Sequence, residues 1–267
     1  MTHQNPDALV STDWLSRYIE AVEIRIVYVS IRSLGAENRV WEEFEKRHIP
    51  YAVYFDLSRL FDSPSELMRM LPSPEIFSEI AMGIAIGNGT RIVIYDDGDG
   101  SGASFYLWWL FRLFGHDDVA VVDGGMRKWL SDKLELSNHP RKPNPHNFTP
   151  LLNDDLIRSS SNSNNTNGFQ LINCGLSAFL DCDDEAAKEV GNTSALKISS
   201  MLLFSGSSEY EMLPISELKD LYGGNGVDLD VPLLLFGPSL PAVAVHVNAL
   251  FLMGREDVPV LVTEKAA

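Results

Sequence analysis

Cysteine is nearly absent, with two in 267 residues. That scarcity excludes a disulfide-stapled scaffold and any cysteine-rich metal site. Basic residues are the next shortage, since only 21 Lys and Arg stand against 37 Asp and Glu for a net charge of −16. A field of that sign repels phosphate backbones and anionic lipid, so neither a nucleic-acid nor a membrane partner is expected. It also opposes capture of small anions unless one site is made locally positive. Long apolar runs are missing too, because none approaches the ~20 residues of a membrane-spanning helix. The opening MTHQNPDALVSTDWL has neither a basic-then-apolar signal nor an Arg-rich transit pattern, which makes a cytoplasmic protein the expectation. What remains, 45% hydrophobic and 22% charged residues, is the composition of a globular chain.

Helical and strand patterns alternate through the first half. Ser11 or Thr12 can cap a helix reaching Ile19, and RIVYVS (25–30) reads as a strand. Segment 37–47 is a charged amphipathic helix, AVYF (52–55) a strand, and 74–85 a helix with Pro74 in its first turn. RIVIY (91–95) is an unbroken apolar run, as expected of a strand covered on both faces. A Gly-rich loop, an apolar helix (103–114), a strand (119–122) and a last helix through 128–130 follow. Segment 137–153 carries four prolines and no periodicity, which is linker composition. Beyond it, 159–168 is polar low complexity, expected as a surface loop. Strands are then expected at 169–173, 195–198, 232–236 and 258–262, and helices at 214–222 and 241–253. The alternation implies an α/β architecture with largely parallel sheets.

The two halves share a pattern. RIVIY, a loop, an apolar helix and LFGHDDVAVV (113–122) answer PLLLF, a loop, an apolar helix and LMGREDVPVL (252–261). Gly115 matches Gly254, Asp118 matches Asp257, and Val119 matches Val258. Two copies of one α/β unit are expected rather than a solenoid.

Several segments resemble the two-domain rhodanese and 3-mercaptopyruvate sulfurtransferase family. They are VSTDWL (10–15), RHIPYAVYFDL (47–57), MLPSPEIF (70–77) and the long stretch 92–130 in the first half, then GVDLDVPLLLFG (226–237) and ALFLMGREDVPV (249–260) in the second. The resemblance implies two tandem rhodanese-like domains, each a mostly parallel sheet flanked by helices. Residues 1–135 would form the first, 136–152 a Pro-rich linker, and 153–267 a degenerate second domain. It further implies sulfur transfer through one cysteine at the end of a second-domain strand, wrapped by a loop whose N–H groups favour the thiolate and its persulfide.

Counting from the matched segments puts that cysteine position on Gly237, in a loop reading Gly237-Pro238-Ser239-Leu240-Pro241. Glycine offers no nucleophile, and the two prolines remove two backbone donors. Ser239 is the only nearby hydroxyl and has no evident base. The first-domain counterpart is Asp96-Asp97-Gly98, where Asp96 holds the nucleophile's place. Other departures are Tyr28 for an aspartate, Tyr51 for a glycine, Tyr106 for an arginine, and Asn173-Cys174-Gly175 for an Asp-Ala-Arg step. A second-domain His-Ile-Pro-Gly-Ala element has dissolved into 191–195, and the closing Asp-Gly-Ser-Trp segment is lacking.

The expected function is therefore a sulfurtransferase homologue without catalysis, an acidic pseudoenzyme that binds or scaffolds an unknown protein partner. The alternative is residual transfer of sulfane sulfur from thiosulfate or 3-mercaptopyruvate, through a relocated or partner thiol. Cys182, flanked by carboxylates, and Cys174, after an apolar run, are the thiols available. Segment 96–102 has the first half of a calcium loop, but Trp108 at its twelfth position supplies no carboxylate, so an acidic surface turn is expected. His246, on an otherwise apolar helix, reads as a satisfied, partly buried histidine, and no cofactor or metal is implied.

Overall fold

The strands that read as unbroken apolar strings lie in the middle of two parallel sheets. A computed structural model describes residues 8–61, 63, 66, 69–141, 146–159, 166, 168–175, 195–206 and 209–262, with the backbone alone at 33–38. The first sheet contains β1 (Leu9–Val10), β2 (Ile24–Val29), β3 (Val53–Phe55), β4 (Arg91–Tyr95) and β5 (Val119–Val122), in the order β1-β5-β4-β2-β3. The second contains β6 (Ile157–Ser159), β7 (Gln170–Gly175), β8 (Leu196–Ser199), β9 (Leu233–Phe236) and β10 (Val260–Val262), in the order β6-β10-β9-β7-β8. The two orders correspond strand for strand, and every pairing is parallel. The α/β architecture implied by the alternation is the one present.

Seven helices cover the sheets among the described residues. Ser11 caps α1 (Thr12–Tyr18) by accepting the Trp14 N–H, and Pro74 opens α3 (Pro74–Gly83). Between them α2 (Ser33–Lys46) starts four residues before the position that amphipathic spacing suggested. The others are α4 (Ala103–Leu113), α5 (Gly125–Ser131), α6 (Ile215–Gly224) and α7 (Leu240–Leu252). Two short strands escaped the sequence reading. β1 has two residues, too few for any periodicity, and β6 ends where the polar 159–168 segment begins.

α4 and α7 are apolar on every side, because they pack on their own sheets and also on each other. Trp108 meets Phe251 edge to face at 5.5 Å, and the Arg112 guanidinium lies 4.4 Å from the centre of the Phe251 ring. Gly102, at φ +79°, is required where the helices meet, since a Cβ there would sit 2.6 Å from the Pro241 carbonyl oxygen. A second tie joins the halves where the Met212 N–H donates to buried Asp123 at 2.8 Å, and Arg127 lies over the Tyr210 ring.

Tyr51 occupies the left-handed region at φ +66°, where the resemblance led us to expect glycine. A side chain there costs about 1–2 kcal/mol of backbone strain. Its ring is 45% exposed and its hydroxyl makes only a long 3.4 Å bond to Glu20. Tyr51→Gly is therefore expected to stabilise by up to about 1 kcal/mol, after the entropy that glycine forfeits. Urea midpoints of the two proteins check this, and a lower midpoint for the glycine variant contradicts it.

Candidate functional site

The chain leaves β9 at Phe236 and enters α7 at Leu240, so Gly237, Pro238 and Ser239 form the whole connection, with Pro241 in the helix's first turn. Gly237 holds the same topological place after β9 that Asp96 holds after β4. Its surroundings explain the glycine. A Cβ at Gly237 would overlap the Cys174 carbonyl oxygen and lie 2.9 Å from its carbon. Both are backbone atoms of β7, which is paired to β8 on one side and β9 on the other. No side chain can be added there without moving a central strand.

Beneath this connection three polar side chains meet in an apolar core. Cys174, Tyr222 and His246 are all fully buried. The Tyr222 hydroxyl bonds His246 Nδ1 at 2.7 Å, while His246 Nε2 has no hydrogen-bond partner. Burial pulls the His246 pKa down to about 3, and the Ile198 carbonyl opposes this without meeting hydrogen-bond geometry, so the ring is neutral at pH 7. His246 is thus wholly rather than partly buried, and only one of its nitrogens is satisfied. Burial likewise pushes the Cys174 thiol well above its ordinary range, with only the Phe236 N–H favouring the thiolate. A thiol so placed is a small hydrophobe rather than a nucleophile. Cys182 and residues 191–194 lie outside the described residues, and Ala195 directly precedes β8.

The first-half loop is built the opposite way. Asp96 is buried, not part of a surface turn, because its own carboxylate fills the cradle that its loop makes. One oxygen accepts the Gly98 N–H at 2.9 Å, and the other accepts the Ser104 N–H at 3.0 Å and the Ser104 hydroxyl at 2.8 Å. Burial first, then the charge of Asp99, raise its pKa to about 6 despite those bonds. With both oxygens engaged, Asp96 has little left for a cation, and no metal-binding cluster occurs among the described residues. Asp97 points away, accepting from Tyr28, Ser30 and Arg32. Gly98 lies over α5, where a Cβ would meet the Gly124 carbonyl oxygen. Tyr106, at the expected arginine's place, is buried with its hydroxyl unpartnered. No described helix is long and apolar enough to cross a membrane.

Twin sheets with this strand order and a strand-to-helix loop at matched places have close counterparts. The pattern of the rhodanese-like domain matches residues 11–132. Mouse 3-mercaptopyruvate sulfurtransferase is 31% identical over 266 residues, covering 95% of this chain and 89% of its own. The chain belongs to the rhodanese family. Rat thiosulfate sulfurtransferase is 31% identical with the same two coverages. The crystal structure of SseA from Escherichia coli, described as a 3-mercaptopyruvate sulfotransferase with the rhodanese fold, superimposes with a TM-score of 0.84 at 26% identity. It covers 97% of this chain and 99% of that one. Similarity to these rhodanese relatives therefore extends well past the segment that the domain pattern matches.

Proposed function

We propose that this rhodanese-family protein does not transfer sulfur through the second-domain loop, and that it acts as a binding or scaffolding member of the family. Residues 1–135 then form a non-catalytic copy, 136–152 a linker, and 153–267 a copy whose nucleophile position is Gly237. The observation that carries this reading is steric as well as chemical. Gly237 has no side chain, and the place a side chain would take belongs to the Cys174 carbonyl. Covalent sulfur transfer needs a thiolate held in a ring of N–H donors. Pro238 and Pro241 cannot donate, and Cys174 is buried within β7 with its thiol protonated.

The test is turnover of the purified protein with thiosulfate or 3-mercaptopyruvate as donor and cyanide as acceptor, beside an active family member. Thiocyanate at the no-protein background is expected from both donors. Release above background that Cys182→Ser abolishes establishes the relocated-thiol alternative and removes this reading.

A further inference from the structure

The strand order of the first sheet has a switch point between β4 and β2, where successive connections depart in opposite directions. In open α/β sheets, ligand crevices form outside the carboxyl ends of the strands at such a point. Here a cleft of about 570 Å³ opens at that place, bounded by the ends of β2 and β4, by α2 and by α5. It is distinct from the Gly237 connection, and its occupancy does not depend on whether that connection has lost turnover.

Its apolar wall is Met126 and Leu130, set over the edges of a buried aromatic cluster. Tyr28 and Tyr95 are direct partners across β2 and β4, with ring centres 5.2 Å apart, and Phe44 stacks on Tyr28 at 5.5 Å and 11°. Three arginines and three carboxylates line the rest: Arg32, Arg47 and Arg127, with Glu43, Asp97 and Asp99. On a chain of net charge −16 this cleft is locally neutral, and its two signs are not mutually spent. Arg32 binds Asp97 at 3.2 Å and Glu43 at 2.9 Å. Glu43 would otherwise be the helical i,i+4 partner of Arg47. Because Arg32 has taken it, Arg47 makes no ion pair with any described residue. Asp99 uses one oxygen on the Ser101 N–H and pairs with no cation among the described residues.

We infer that this cleft binds a small zwitterion of the α-amino-acid type with an aromatic or thioether side chain. Arg47 would take the carboxylate and Asp99 the ammonium, while the side chain lies against Met126, Leu130 and the aromatic edges beneath them. A volume of this size suits such a molecule, and charge-assisted bonds from a guanidinium and a carboxylate on one cleft select for both charges at once.

Calorimetric titration of the full chain with L-phenylalanine and L-methionine tests the assignment, with 3-phenylpropionate and phenethylamine as probes lacking one charge each. The zwitterions are expected to bind saturably, and each single-charge probe at least about tenfold more weakly. Arg47→Gln and Asp99→Asn should each weaken L-phenylalanine by about tenfold or more while leaving the melting midpoint unchanged. The assignment is overturned if neither amino acid saturates up to about 10 mM, a ceiling near the weakest useful affinities. It is equally overturned if 3-phenylpropionate binds as well as L-phenylalanine, or if Arg47→Gln binds as tightly as the parent.

Discussion

Gly237→Cys should destabilise the protein by about 3 kcal/mol or more and leave thiocyanate production at background. Simple restoration logic predicts the reverse, because the variant puts a thiol at the position proposed above for the nucleophile. The obstacle is the overlap between the new Cβ and the Cys174 carbonyl oxygen. A flexible side chain could swing aside, but a carbonyl in a strand paired on both sides can move only with the strand. Gly237→Ala should therefore cost a similar amount, which separates bulk from thiol chemistry. Urea midpoints of both variants check the stability, and the cyanide assay checks the chemistry. A cysteine variant within about 0.5 kcal/mol of the parent would show that β7 yields at little cost.

Two buried groups should tilt acid stability in opposite directions. His246 titrates at about 3 in the folded chain against 6.5 when exposed. Its pKa is depressed, so stability is complete above 6.5 and drains as pH falls toward 3. By about pH 4.5 the loss from this one ring is about 3 kcal/mol. Asp96 titrates at about 6 against 3.8. Its pKa is raised, so its contribution is fullest below 3.8 and is lost as pH rises through 6. Between pH 7 and about 4.5 it returns about 2 kcal/mol. The intact protein thus hides two large terms that nearly cancel. His246→Gln should lose less stability on acidification than the parent, and Asp96→Asn should lose more. Urea midpoints at neutral pH and at about pH 4.5 read both slopes, and parallel lines for all three proteins would refute the pair.

The sequence announces most of the layer architecture because its central strands are apolar throughout. RIVIY coincides with β4, and 119–122 coincides with β5. Such runs need cover on both faces, and only a two-sided α/β layer provides it. β1 and β6 left no trace, since edge strands this short have no period to display. At the site, the glycine at 237 was legible in residue identities alone. Its steric reason was not, because Cys174 lies 63 positions away and only the pairing of β7 with β9 brings them together. Asp96 was misjudged for a related cause. Repeated aspartate and glycine advertise a solvated turn, whereas the Ser104 N–H that draws Asp96 inward belongs to the next helix. The Tyr28–Asp97–Arg32 network likewise joins two segments, the ends of β2 and β4, that only their register makes neighbours.

In each sheet the earliest strand pairs with the latest, Leu9 with Val121 and Ile157 with Val260. A ribosome delivering this chain releases β1 more than a hundred residues before its partner exists. Until β5 emerges, the apolar edge of β4 stays uncovered, and that wait is repeated for β9 until β10 arrives. Pairings so distant along the chain are slow to close. Nascent polypeptide of this design spends much of its synthesis with a hydrophobic seam open, the kind of exposure that makes folding intermediates prone to aggregate.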